Sequence, residues 1–231
     1  MNQLIKVHGF VRSGNHALSA LLHRAFFPSL PGMTVDNRNT GHWSQRAGAA
    51  RYEVDGADQG AERVHIPYAD VLGTHNMPRG DTRRVVYVVR DGRDVALSMY
   101  RWKKMAAPGD LSFSEWVRQT IDWWPSPGKR AEPADGYTVW RMWLDHVTTW
   151  ATTDALVVRY EDLVRAPGRV VESVAHAMGI VPVVDYDAPG MTGWNASKRP
   201  RVGGWLDDMG PDDVALFDSI TPPQFIGRWH G

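Results

Sequence analysis

Cysteine is absent from the 231 residues. That excludes disulfides, thiolate nucleophiles and Cys-based zinc or iron–sulfur sites. Net charge is absent as well, since 26 Lys plus Arg stand against 26 Asp plus Glu. A chain-wide surface for nucleic acid or another polyanion would be basic overall, so no nucleic-acid partner is expected. No apolar run approaches the length of a membrane span. The segment Met1–Val11 lacks a secretory layout, because Lys6, His8 and Gly9 break its short apolar stretch. The expectation is a soluble, cytoplasmic protein with no membrane partner. Internal repeats and low-complexity tracts are missing too. The length fits a single α/β domain over 1–231, large enough to bury a core without staples.

What is present is an alternation of strand and helix patterns. Leu4–Val11 reads as a strand, followed by a Gly-containing turn and an apolar helix from about Asn15 to Phe27. Val64–Tyr68 and Val71–Thr74 are short extended segments. Arg84–Val89 reads Arg-Val-Val-Tyr-Val-Val, continuously apolar after its arginine, the pattern of a strand buried on both faces of a parallel sheet. Asp91–Met105 reads as a helix with Val95, Ala96, Met99 and Trp102 inward. Leu111–Trp124 is a further helix candidate. Val139–Ala151 carries Trp140, Trp143 and Trp150 at helical spacing, most simply core. Ala155–Arg159 is a strand, and Pro167–Gly179 a helix stopped by its glycine. The alternation predicts an α/β fold around a mainly parallel sheet flanked by helices. Residues 32–63 read as a long loop with some short helix, and 125–136 as a Pro/Gly-rich loop.

The turn Gly9-Phe10-Val11-Arg12-Ser13-Gly14-Asn15-His16 lies between the first strand and the first helix. There, backbone N–H groups and a helix amino end can cradle a phosphate. A nucleotide-binding P-loop continues with Lys and Ser or Thr, and here those positions hold Asn15 and His16. The terminal-phosphate Lys and the magnesium hydroxyl are both missing, while a cation sits inside the loop at Arg12. The pattern fits an anion without nucleotide–magnesium machinery, or an ordinary strand–turn–helix junction. Arg90 closes the most strand-like segment, where open parallel sheets bind ligands. Ser98 follows two helical turns later. Guanidinium and hydroxyl suit a phosphate monoester, and an Arg90–Asp94 salt bridge is the alternative use of the arginine.

Four segments together resemble the sulfotransferases that use 3′-phosphoadenosine 5′-phosphosulfate. Val11-Arg12-Ser13-Gly14-Asn15-His16-Ala17 is similar to their Pro-Lys-Ser-Gly-Thr-Thr-Trp signature, with Arg12 for the Lys and Asn15 and His16 for the two Thr. Arg90-Asp91-Gly92-Arg93-Asp94-Val95-Ala96-Leu97-Ser98 resembles their second signature closely. Arg159-Tyr160-Glu161-Asp162-Leu163 resembles the third. Lys198-Arg199-Pro200-Arg201-Val202-Gly203-Gly204-Trp205 resembles the fourth, with Pro200 for a glycine that would offer a backbone N–H. The resemblance spans residues 9 to about 217 and implies the P-loop-like sulfotransferase fold.

It also implies roles. Arg12, Ser13, Gly14, Asn15 and His16 grip the 5′-phosphosulfate, and Arg90 and Ser98 hold the 3′-phosphate. Lys198, Arg199 and Arg201 add cations, and Tyr160 falls on the adenine side. The donor would be 3′-phosphoadenosine 5′-phosphosulfate, the product 3′-phosphoadenosine 5′-phosphate (PAP), and no metal is expected. The family's base lies in a Lys-Thr-His segment, which is Gly73-Thr74-His75 here. Histidine is a good general base near neutral pH. His75 is therefore the expected base, with His16 its rival, and Arg12 the leading cation for the leaving group. The acceptor is expected to be a small molecule with a hydroxyl or amine, met by loops at 32–63 and 104–136. Trp123-Trp124 and Trp43 are candidate acceptor walls. The alternatives are a P-loop kinase or nucleotide hydrolase, and a non-catalytic PAP-binding protein. Residues 79–104 hold eight cations against Asp81, Asp91 and Asp94, so overall neutrality conceals one cationic region. The acidic residues Asp207, Asp208, Asp212 and Asp213 read as a solvated helix start.

Overall fold

The computed structural model describes residues 3–26, 51–53, 62–66, 69–74, 77–78, 80–106, 111–120, 137–182, 201–223 and 225. For residues 3–4, 16, 20, 23–24, 103–106 and the strands between 51 and 74, the description is of the backbone. Six strands form one sheet: β1 (Gln3–Gly9), β2 (Arg51–Glu53), β3 (Glu62–Ile66), β4 (Ala69–Thr74), β5 (Val85–Val89) and β6 (Leu156–Arg159). Their spatial order is β2-β3-β4-β1-β5-β6. β4, β1, β5 and β6 run parallel to one another, whereas β2–β3 and β3–β4 pair antiparallel. The mainly parallel sheet is thus extended at one edge by an antiparallel ribbon. That ribbon includes β2, inside the segment expected to be loop.

Helices cover both faces. α1 (Asn15–Phe26), α5 (Tyr160–Arg165) and α6 (Pro167–Met178) lie on one side. There Leu18, Leu22, Leu163 and Val174 pack on Ile5, Val7, Val86 and Val88. α2 (Gly92–Ala106), α3 (Phe113–Val117), α4 (Val139–Trp150) and α8 (Pro211–Ile220) lie on the other. There Met99, Trp116, Trp140, Trp143 and Phe217 pack on Val85, Tyr87 and Val89. β5 therefore sends alternate side chains into two cores, and all five of its residues are buried. This is why its sequence shows no polar alternation. A short α7 (Trp205–Asp208) completes the set.

Trp140, Trp143 and Trp150 are core, each at most 1% exposed. His8 packs against Trp150 with the rings tilted and their centroids 4.7 Å apart, and Tyr87 shares a 2.9 Å hydrogen bond with Nδ1 of His146. These histidines belong to the packing under the sheet. Gly179 takes the left-handed cap that ends α6, at φ 64°. Three expectations need correction. Trp102 is 45% exposed, because the buried stripe of α2 swings to Tyr100, which packs on Phe113 and Trp116. α3 is shorter than expected, pinned at its start by a Ser112–Glu115 capping box and tightened at its end by the Gln119 N–H to Trp116 carbonyl bond. Asp213 is buried rather than solvated, and pairs with Arg118.

Candidate functional site

Because β4, β1, β5 and β6 are parallel, their carboxyl ends fall on one edge of the sheet. β1 lies between β4 and β5, so the chain leaves it at the point where ligands bind in open α/β sheets. Registers place Gly9 beside Val88, His8 beside Thr74, and Val89 beside Arg159. The loop 10–14, the start of α2 and Tyr160 therefore leave neighbouring strand ends.

The loop is tightly made. Ser13 N–H donates to the Phe10 carbonyl at 3.0 Å, and Leu18 N–H to the Gly14 carbonyl at 3.0 Å, which opens α1. The first N–H groups of a helix have no intrahelical acceptor and face outward at its amino end. Asn15 is buried and turns its side-chain amide back to the Gly9 carbonyl at 3.1 Å. What it presents at the helix amino end is backbone. Gly14 has φ +107°, and a Cβ there would lie 2.5 Å from Cδ2 of Tyr160. Glycine is required twice over, by conformation and by the close approach of the ring. Arg12 adopts φ 68° without being glycine. The left-handed region costs an L-residue about 1–2 kcal/mol, a strain the surrounding loop must offset.

Arg12 Nε donates to Oγ of Ser98 across 3.1 Å. Arg90 donates Nη1 to the Arg12 carbonyl at 3.3 Å and Nη2 to the Arg201 carbonyl at 2.8 Å. Its guanidinium lies 4.4 Å over the Tyr160 ring. The Arg90–Asp94 ion pair is present at 3.6 Å, beyond hydrogen-bond distance. Among the described residues no carboxylate pairs with Arg12. Protein packed around its guanidinium, and then the positive Arg90, hold Arg12 below its ordinary pKa. An anion here relieves that repulsion. Burial first, and nearby carboxylates after it, push the Tyr160 phenol up, while Arg90 and Arg12 oppose them. Tyr160 is 6% exposed, with Gly14 against its edge and Arg90 over it. The structure uses it to seat the loop and the arginine.

The second signature is built as a helix entrance. Asp91 accepts the N–H of Arg93 at 2.8 Å, an N-cap, and holds the Arg93 guanidinium through 3.0 and 2.8 Å bonds. Glu161 accepts the Asp91 N–H at 3.4 Å. Burial is the first cause that raises the Glu161 pKa. Arg201 pairs with Asp207 at 3.0 Å and Asp208 at 3.2 Å, and Asp208 also takes Arg101 at 2.6 Å. These acids neutralise arginines rather than merely opening a helix.

The structure thus brings Arg12, Ser13, Gly14, Asn15, Arg90, Ser98, Tyr160 and Arg201 to one edge of the sheet. His75, Lys198, Arg199, Trp43 and Trp123-Trp124 lie outside the described residues, as do most of 32–63 and much of 104–136. Thr74 is described, and it ends β4 beside His8 of β1. Asp94 was not legible as a site residue. Its partners are Gly203 and Trp205, and the one local signal is an acid in the first turn of a helix.

No curated protein matches the chain. The fold is that of a mouse sulfotransferase complexed with PAP, at 15% identity and TM-score 0.55, covering 94% of this chain and 82% of that one. Retinol dehydratase in complex with androsterone and inactive cofactor PAP is similar at 15% identity and TM-score 0.51, covering 94% and 78%. At such identities the likeness speaks for the fold alone. The family model for the sulfotransferase domain matches residues 65–186, more than half of the chain. This stretch holds Arg90, Ser98 and Tyr160, the residues that meet the loop at the strand ends, and on that match the chain belongs to the sulfotransferase domain family.

Proposed function

We propose that this protein transfers the sulfuryl group of 3′-phosphoadenosine 5′-phosphosulfate to a hydroxyl or amine of a small acceptor, releasing PAP. The observation that carries the reading is the meeting of Arg12 with Ser98, and of Arg90 with both Arg12 and Arg201. Two guanidinium groups and a hydroxyl converge, and among the described residues Arg12 has no carboxylate. Ser13 Oγ and Arg90 Nε are buried and have no hydrogen-bond partner among the described residues. Buried polar groups ordinarily find partners, so this demand fits a multiply charged nucleotide.

The donor, when bound, supplies an activated sulfuryl group. The residues 12–16 and the amino end of α1 bind its 5′ end through backbone N–H groups, with the Arg12 guanidinium offsetting charge that builds on the leaving phosphate. Arg90 and Ser98 bind the 3′-phosphate, and Arg201, Lys198 and Arg199 add positive charge for the nucleotide. His75, the residue after Thr74 in the sequence, takes the acceptor proton on its imidazole, and His16 at the start of α1 is the rival for that step. The whole chain, 1–231, acts as one domain, and 32–63 and 104–136 supply the acceptor side.

The test is a screen of phenols, alcohols, amines and sugars with the phosphosulfate donor, reading PAP release and sulfated product together. Equal amounts of both are expected. PAP binding with no product from any acceptor class contradicts transfer and leaves a nucleotide-binding protein.

A further inference from the structure

Asp94 takes no part in the chemistry above, yet it is 3% exposed in the first turn of α2. Its carboxylate is filled by backbone from more than a hundred residues away. Oδ2 accepts the Gly203 N–H at 2.9 Å, and Oδ1 accepts the Trp205 N–H at 3.1 Å. Beside it Arg90 donates to the Arg201 carbonyl at 2.8 Å. One residue before Asp94, the Arg93 guanidinium lies 3.6 Å over the Trp205 ring. The strap 201–205 is thus fastened to the entrance of α2 by two N–H bonds, one carbonyl bond and one cation–π stack.

A buried carboxylate is costly unless its lone pairs are satisfied. Here backbone donors satisfy them, and those donors belong to a segment with little structure of its own. Residues 201–204 precede a four-residue helix, and Gly203 sits at φ +70°. The strap lies where α2 holds it. Asp94 stands 3.6 Å from Arg90 Nη2 and its closest bonds go to N–H groups, so the charge of Arg90 stays available to an anion. Arg90 is then oriented by two carbonyls, those of Arg12 and Arg201, and the second is in place only while the strap is.

We propose that Asp94 is a positioning residue for the donor nucleotide. It fixes the strap as one wall of the crevice and, through the Arg201 carbonyl, aims Arg90 at the 3′-phosphate. This rests on the donor assignment made above. Asp94 itself touches no ligand.

Asp94→Asn keeps the shape but turns one oxygen into an NH2 that faces a backbone N–H, so one strap bond is lost. Calorimetric titration with PAP and with adenosine 5′-phosphate, which lacks the 3′-phosphate, separates the roles. The PAP dissociation constant is expected to rise at least about tenfold, with that of adenosine 5′-phosphate nearly unchanged. In transfer assays KM for the donor rises while kcat at saturation holds. Unchanged PAP affinity, or equal loss for both nucleotides with a lowered Tm, overturns the proposal and leaves Asp94 a stabilising residue. Should the Asn variant not fold, Gly203→Ala loosens the same clasp from the strap, away from the core. It must show the same PAP-selective loss, and its absence overturns the proposal. A wild-type protein that binds no PAP overturns the donor assignment itself.

Discussion

Arg12 Nε donates a 3.1 Å hydrogen bond to Oγ of Ser98, joining residues 86 positions apart. The bond ties the turn after β1 to the second helical turn after β5, across the strand ends where the sheet opens. Arg12 reaches it from a left-handed backbone, φ 68°, a conformation usually left to glycine. The guanidinium is placed by the loop's geometry, and no carboxylate among the described residues holds it.

Arg12 and Ser98 are therefore expected to fail in different ways. Arg12→Ala removes the loop's cation and lowers kcat by about a hundredfold, the usual cost of one donor at a developing charge. Ser98→Ala removes a hydroxyl that hydrogen-bonds charged groups and weakens PAP binding about tenfold, with a smaller change in kcat. Initial-rate kinetics at saturating donor, with calorimetry for PAP, checks both. Identical defects in the two variants would argue that the residues serve one phosphate.

Gly14→Ala is expected to destabilise the loop as well as inactivate it. The added Cβ meets the Tyr160 ring at 2.5 Å, at a φ of +107°. A loss of about 1–3 kcal/mol follows from the strained backbone and the overpacking, read as a fall in denaturation midpoint. An alanine variant with native stability would mean that the ring moves freely.

Glu161 links pH to stability. Burial raises its folded pKa above the unfolded value. The folded form then binds the proton more tightly, so stability is fully present below the ordinary carboxylate range and declines as pH rises through the folded pKa. Glu161→Gln removes that loss while keeping an acceptor for the Asp91 N–H. The variant is expected to melt above the native protein at pH 8, with the gap closing toward pH 4. A gap independent of pH would assign the effect to packing.

The base has its own signature. With His75 accepting the acceptor's proton, kcat/KM rises with pH along a limb set by one imidazole. His75→Asn is expected to abolish that limb and most of the rate while PAP still binds. A surviving limb in that variant would move the role to His16.

Much of the fold was legible because one-dimensional patterns follow burial. The run Arg84–Val89 lacked polar alternation because β5 feeds two cores, and the Trp spacing of α4 matched its buried face. β2 was missed because a three-residue edge strand takes its pairing from β3 and shows no period of its own. Helical period alone puts Trp102 inward, because it cannot show that Tyr100 turns the stripe toward α3. In the site, Arg12, Ser13 and Gly14 are legible as loop residues, Arg90 as a strand-end residue and Ser98 as a residue two turns into the helix that follows. The fastening of Gly203 and Trp205 to Asp94 was not, because no local spacing encodes a contact between segments so far apart. Asp213 read as solvated for the same reason, since its partner Arg118 belongs to another helix.

The central claim is that loop, helix entrance and strap form one site for a 3′-phosphorylated adenine nucleotide. Calorimetric titration of the protein with PAP, in buffer containing EDTA because the loop lacks the P-loop's Lys and magnesium hydroxyl, tests it most directly. The account predicts saturable one-to-one binding, at least about tenfold tighter than adenosine 5′-phosphate and weakened by Arg90→Ala. No heat at saturating PAP, or equal affinity for the two nucleotides, would contradict it.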